Sequence, residues 1–140
     1  MTGRRFDDVA VGEELPELAI EITTTLIVAG AIASRDYQDV HHDEQLARRR
    51  GTPGIFMNIL TTNGLVGRFV TDWAGPDATV RRIAIRLGVP NFAGDTMRLT
   101  GRVTSAERCE DGDGGAVEVE VVGRNRLGDH VTGTVTVALP

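Results

Sequence analysis

The sequence predicts an α+β fold: an antiparallel β-sheet wrapped around one long central α-helix. Three observations carry that prediction. From Thr79 onward the chain reads as four consecutive strand patterns joined by turns, with no helical pattern between them. A single long apolar segment of helical spacing precedes them at residues 54–74. A further strand pattern lies earlier, at residues 17–24. Strands that run together beside a segregated helix indicate α+β, because a parallel α/β sheet would alternate the two.

Each element follows from its own residues. ELAIEITT (17–24) alternates apolar and polar side chains, which turns one strand face toward a core. TLIVAGAIASR (25–35) is apolar and Ala-rich at helical spacing, with Thr24 or Thr25 as the expected N-cap. A polar loop follows. Asp43 is then placed to cap a short helix, EQLARRR, which Gly51 and Pro53 terminate. Across 54–74, Ile55, Ile59, Leu60, Asn63, Val66, Val70 and Trp73 recur at three- and four-residue steps, and Gly75-Pro76 ends the helix. Gly64 and Gly67 sit inside it, each costing about 1 kcal/mol relative to Ala, so another element is expected to pack closely there. The remaining strands are expected at 79–89, 96–108, 115–126 and 130–140. Turn chemistry lies between them in AGD (93–95), EDGDGG (110–115) and LGD (127–129). No repeat, linker or low-complexity tract appears, so residues 1–140 are expected to form a single domain.

Composition bounds the function. Hydrophobic residues make up 41% of the chain and charged residues 25%, which fits a soluble globular protein with a real core. Aromatics are only 4%, so aliphatic side chains must fill the interior. A net charge of −5 argues against a nucleic-acid surface. No stretch approaches a membrane span or a signal h-region, so a cytoplasmic location without membrane contact is expected. Cys109 is the only cysteine, which rules out an intrachain disulfide and a zinc ribbon. All 15 basic residues are arginine, which excludes catalytic lysine chemistry. Arg48, Arg49, Arg50, Arg81, Arg82, Arg86 and Arg124 are candidates for binding a phosphorylated small molecule.

The stretch SRDYQDVHHDEQLARR (34–49) places Asp36 and Asp39 ahead of His41 and His42. Read as residues alone, it fits either an acid/base station or a solvated loop with a capping aspartate. A metal site is the weaker reading, since adjacent loop histidines do not naturally converge and no Cys lies near.

Residues 36–43, DYQDVHHD, resemble the motif D-x-N-P-x-H-x-D of the MaoC-like (R)-specific enoyl-CoA hydratases, with Asp36, His41 and Asp43 in register. Gln38 and Asp39 stand where that family has Asn and Pro. Residues 55–60, IFMNIL, match its I-x-H-G-M-L at Ile55 and Leu60, with Met57 in place of His and Asn58 in place of Gly. VPNFAGDTM (89–97) is similar to a family strand-turn-strand that ends in Gly-Asp-Thr. Within the family, RDYQDVHHD, IFMNIL, VTDWAGP and GRNRLGDHVTGTV are most similar to small subunits of actinobacterial steroid side-chain enoyl-CoA hydratases.

The resemblance implies a hot-dog fold and hydration of the trans-2 double bond of an acyl-CoA thioester, on a steroid (cholesterol) side chain. It implies Asp36 and His41 as the catalytic pair. The Asn58 N–H would meet the thioester oxygen at the helix N-terminus. Met57 would line a wide acyl channel, although an ordinary core position fits it equally. No cofactor is implied, since coenzyme A is part of the substrate, and no metal. The implied partner is a larger MaoC-like subunit with a zinc-ribbon/OB-type extension, and a thiolase-like aldolase is the further partner the resemblance implies. Two other readings stay open: a hot-dog thioesterase, or a non-catalytic subunit that completes a partner's tunnel. The thioesterase reading is weakened because residues 55–70 contain no Asp or Glu. Retention of both Asp36 and His41 counts against a non-catalytic subunit.

Overall fold

The strand patterns pair into one antiparallel sheet. In the computed structural model, which describes residues 3–140 and leaves the first two outside, β1 (Glu14–Ile22) is followed by α1 (Thr24–Ala33), α2 (Glu44–Arg49) and α3 (Ile59–Ala74). Then come β2 (Thr79–Leu87), β3 (Asp95–Arg108), β4 (Gly115–Asn125) and β5 (Gly128–Leu139). The five strands lie in the order β1-β3-β4-β5-β2. β1 and β2 are therefore the edges, and β3, β4 and β5 follow one another as hairpins.

The sheet buries one face against α3. Leu99, Val103, Val117, Val119, Val121, Val135 and Val137 alternate along the inner strands and share a core with Val66, Phe69, Val70 and Ala74 of the helix. This is the aliphatic interior that the scarcity of aromatics demands. Burial on this scale dominates the stability of such a domain, at roughly 25 cal/mol per Å² of apolar surface removed from water. No helix among the described residues is long and apolar enough to cross a membrane.

Three departures from the expected boundaries have a visible physical cause. β1 begins at Glu14, with an irregular register between Leu15 and Leu18 around Pro16, whose missing N–H is tolerated on an edge strand. The cap of α1 is Thr23, whose hydroxyl accepts the Leu26 N–H at 3.0 Å, and not Thr24 or Thr25. Most consequentially, the helix expected from residue 54 starts at Ile59. The segment before it is extended: Phe56 N–H bonds to Val40 O (3.1 Å), Met57 N–H bonds to Asn91 O (3.0 Å), and Phe56 pairs with Phe92 as a β-bridge. Helical spacing of the apolar residues here reflects burial of an entry strand, not helix.

Of the two glycines inside α3, Gly67 does admit a neighbour: a Cβ there would lie 3.2 Å from Ile83 Cδ1 of β2. Gly64 faces open space among the described residues. The close helix approach occurs instead at Gly30 of α1, where a Cβ would collide with the Thr61 side chain. That contact seats the end of α1 beside the start of α3.

Candidate active site

The loop between α1 and α2 is shaped by backbone before any side chain acts. Ser34 closes α1, Arg35 adopts a left-handed conformation (φ 54°), and the Asp36 N–H returns to Ala31 O at 2.9 Å. A 3₁₀ turn over Asp39–His41 then brings His41 back beneath Asp36. Asp39 is tied to Arg50 at 2.7 Å, and this ion pair holds the Asp39 carboxyl below the usual carboxylate range. Asp43 caps α2 by accepting the Leu46 N–H at 2.9 Å, the role expected of it. His42 is exposed.

His41 is buried, and its Nδ1 lies 2.7 Å from Phe56 O. A carbonyl only accepts, so Nδ1 carries the proton and Nε2 of the neutral ring presents a lone pair. The Phe56 ring packs edge-on against the imidazole, with centroids 5.0 Å apart. Nε2 points at Asp36 Oδ2 across 3.4 Å. Two acceptors thus face one another, an arrangement satisfied by a proton between them or by a water that donates to both.

Asn58 completes the cluster. It is 2% exposed and caps α3, with Oδ1 accepting the Thr61 N–H (3.0 Å) and the Thr61 hydroxyl (2.6 Å). Its Nδ2 donates to Asp36 Oδ2 (3.1 Å) and Ser34 Oγ (2.9 Å). The Asn58 amide holds the Asp36 carboxyl below its ordinary range, opposed by burial and aided by the Gln38 N–H and by the charge of His41 whenever its ring is protonated. The Asn58 backbone N–H donates to no group among the described residues. It lies at the N-terminus of a 16-residue helix, where the dipole favours negative charge.

Of the residues singled out from sequence, Asp36, His41 and Asn58 therefore meet, and Met57 does not join them. Met57 is 2% exposed and packs in the core beside the Asn91 amide. Sequence reasoning missed Ser34, Thr61 and the Phe56 carbonyl. Capping logic at an Asn before an apolar helix was the available signal for Thr61. A backbone carbonyl leaves no trace in residue identity. Behind the helix start, His130 is 1% exposed between Val89 O (2.6 Å) and the Thr62 hydroxyl (2.8 Å), and burial lowers its pKa. Among the described residues no three His, Cys, Asp or Glu side chains gather as metal ligands.

Comparison with known proteins identifies the family of the chain. The family model described as a MaoC like domain matches residues 8–125. The chain belongs to the MaoC-like domain family. A Mycobacterium tuberculosis protein named 3-oxo-4,17-pregnadiene-20-carboxyl-CoA hydratase beta subunit is 51% identical over 129 residues, covering 92% of this chain and 95% of that one. The crystal structure of the ChsH1-ChsH2 complex from Mycobacterium tuberculosis contains a chain that superposes with a TM-score of 0.87. That match has 50% identity and covers 94% of this MaoC-like chain and 98% of its counterpart. An unliganded (R)-hydratase from Pseudomonas aeruginosa superposes with a TM-score of 0.86 at 18% identity, over 99% and 86% of the two chains. At that identity it establishes the shared hot-dog fold alone.

The arginine candidates divide. Arg48, Arg50 and Arg124 are paired with Glu44, Asp39 and Asp129 at 3.1, 2.7 and 2.6 Å. Arg49, Arg81, Arg82 and Arg86 are exposed and form no ion pair among the described residues. Asp72, the acid nearest the central helix in the thioesterase reading, lies in its last turn and is 3.4 Å from Arg68.

Proposed function

We propose that this MaoC-like chain is the catalytic subunit of an enoyl-CoA hydratase, a hydro-lyase that acts on a steroid side-chain enoyl-CoA. The observation that carries the reading is the opposition of Asp36 Oδ2 and His41 Nε2 across 3.4 Å. Each is fixed by a donor or acceptor of its own, and both are left needing a proton donor between them.

A water held there donates to both acceptors. As its oxygen bonds to the β-carbon of the enoyl thioester, one of its protons passes to the pair, and the pair returns a proton to the α-carbon. No net proton is consumed. The charge that develops on the thioester oxygen is met by the Asn58 backbone N–H and the α3 dipole. No cofactor or metal enters this scheme, because coenzyme A arrives with the substrate.

The surroundings support a bulky apolar substrate or partner surface at this place. Ile32, Tyr37, Ile59 and Leu60 are 49%, 65%, 50% and 53% exposed, and each lies within a few residues of Ser34, Asp36 or Asn58. An apolar depression of about 610 Å³ runs along α1 beside Val28, Ala29 and Ile32. Large exposed aliphatics are normally scattered, and their concentration around a polar station marks a surface covered in use. The named relative is a beta subunit of a steroid-CoA hydratase, and the matched structure is a two-component complex. Both support pairing with a larger MaoC-like subunit, which would bear the zinc-ribbon/OB-type extension and dock a thiolase-like aldolase in the cytoplasm. Arg81, Arg82 and Arg86 on edge strand β2, with Arg49, form no ion pair among the described residues and are the arginines proposed for the coenzyme A phosphates.

The test is loss of enoyl-thioester absorbance by this chain alone and with a co-expressed larger hot-dog partner. Each sample is offered a crotonyl-type and a steroid-tailed enoyl-CoA. Steroid turnover that requires the partner is expected. Robust turnover of the short substrate by the chain alone would replace the reading with a self-sufficient short-chain hydratase.

A further inference from the structure

We infer that Asn58 is a positioning residue: its side-chain amide, locked by the first turn of α3, holds the Asp36 carboxylate against His41. The inference rests on the reading of Asp36 and His41 as the water-activating pair.

The polarity of the network leaves the amide one orientation. Thr61 N–H only donates, so the oxygen end of Asn58 must face it, and Nδ2 must face Asp36 and Ser34. The Ser34 hydroxyl passes its own proton to Gly30 O at 2.7 Å, so it has only a lone pair to offer Asn58. Both amide protons and both amide lone pairs are therefore committed in a residue that is 2% exposed. A buried amide satisfied on every side has no rotational freedom, and the oxygen it grips shares none either.

Without this grip, Asp36 would retain one fixed donor, the Gln38 N–H at 3.3 Å on the other oxygen. Oδ2 would be free to swing away from His41. The alternative that Asn58 reaches the substrate with its side chain is excluded by the same bookkeeping, because no amide proton remains. The residue consequently has two separable functions: the backbone N–H faces the substrate and the side chain sets the base. Two departures from the family motif meet at this carboxylate. Gln38 contributes only its backbone, and Asn58, where the motif has Gly, contributes an amide that Gly cannot.

Substitutions at residue 58 keep the backbone N–H, so they isolate the side chain. Asn58→Ser retains an N-cap oxygen of comparable quality but lacks the amide donor. Asn58→Asp also retains the cap and sets a second carboxylate against Asp36. Among titratable and charged groups, His41 alone faces Asp36 from the surrounding elements of the described residues.

In the assembly that supports wild-type turnover, kcat of Asn58→Ser should fall about 10- to 100-fold, the span associated with one hydrogen bond to a charged group. KM should stay within about twofold. The acid limb of the kcat/KM profile should move to higher pH in the order wild type, Ser, Asp. Carbon-13 NMR of the Asp36 carboxyl in the chain itself reads the same displacement without reference to activity. Wild-type positions of the Asp36 titration and the acid limb in both variants, with only a lowered Tm, would reduce Asn58 to a helix cap and overturn the inference. Displaced titration in a protein whose Asp36→Asn form still hydrates enoyl-CoA would instead overturn the catalytic reading beneath it.

Discussion

Asp36→Asn exchanges one carboxylate oxygen for an amide nitrogen at nearly constant volume, and the geometry around it sets what should follow. In the native loop, Oδ1 accepts the Gln38 N–H at 3.3 Å and Oδ2 accepts Asn58 Nδ2 at 3.1 Å. The new amide has one oxygen for those two donors. Placed toward Asn58, it turns its NH₂ on the Gln38 N–H; placed toward Gln38, it turns its NH₂ on Asn58. One contact is lost in either pose, and the side chain is 21% exposed, so water replaces part of it. The stability loss should be about 1 kcal/mol, a fall in Tm of roughly 2–5 °C. The chemical effect should be far larger. General acid–base groups contribute on the order of 10²–10⁴-fold, and in the second pose the new NH₂ also donates to His41 Nε2 and blocks the remaining base. The assay is enoyl-thioester absorbance loss with the partner present, alongside thermal melting and light scattering of the complex. Activity within about tenfold of wild type in an intact complex would refute the assignment of Asp36.

Three further outcomes follow from named contacts. Neutralising Arg81 and Arg82 together to Gln should raise KM for the enoyl-CoA about fivefold or more with kcat intact. Arg124→Gln should change neither, since Arg124 is already engaged by Asp129; equal KM effects from both variants in steady-state assays would discard the β2 site. His130 has a folded pKa below its unfolded value of about 6.5, because burial disfavours the charged ring. As pH drops through that value the unfolded chain takes up a proton that the folded chain resists, so stability is full above it and declines below. Urea midpoints between pH 7.5 and 5.5 should show a smaller slope in His130→Gln, and identical slopes would remove His130 as the cause. Asp43→Ala should cost about 1 kcal/mol by uncapping α2, and an unchanged Tm would mean that the cap is redundant.

The legible part of the fold was the part governed by alternation and turn chemistry. All four C-terminal strands fall within two residues of their expected bounds, because their inner valines and intervening Gly-Asp turns leave little freedom of register. The start of α3 was not legible. Ile55 and Met57 are buried as helix residues would be, yet the backbone N–H groups of residues 55, 56 and 57 go to the Glu44 carboxylate, Val40 O and Asn91 O, partners far away in sequence. Hydrophobic period reports burial and is blind to such long-range hydrogen bonds. Asp36 and His41 could be named only because they stand in register with a family motif, and the grip of Asn58 on Asp36 spans 22 residues and emerges only when α1 and α3 dock at Gly30.

The positions where the chain departs from the hydratase motif show why it can depart. At residue 38 the site uses only a backbone N–H, so Gln serves as well as Asn. The Asp39 side chain leaves the site for Arg50, and its backbone carbonyl accepts the Asp43 N–H at 2.8 Å; the loop is thus pinned without a proline. Met57 turns into the core, where volume matters and basicity does not. The tautomer of His41 is set by a carbonyl, which no substitution at residue 56 other than one that moves the chain can remove. Most of the station is therefore written in backbone atoms, and it tolerates side-chain change wherever the entry segment to α3 keeps its path. Asn58 is the one departure whose side chain enters the site, and its amide goes to the reacting carboxylate. Variation at that position, more than at the others, should therefore shift the pH profile of the site.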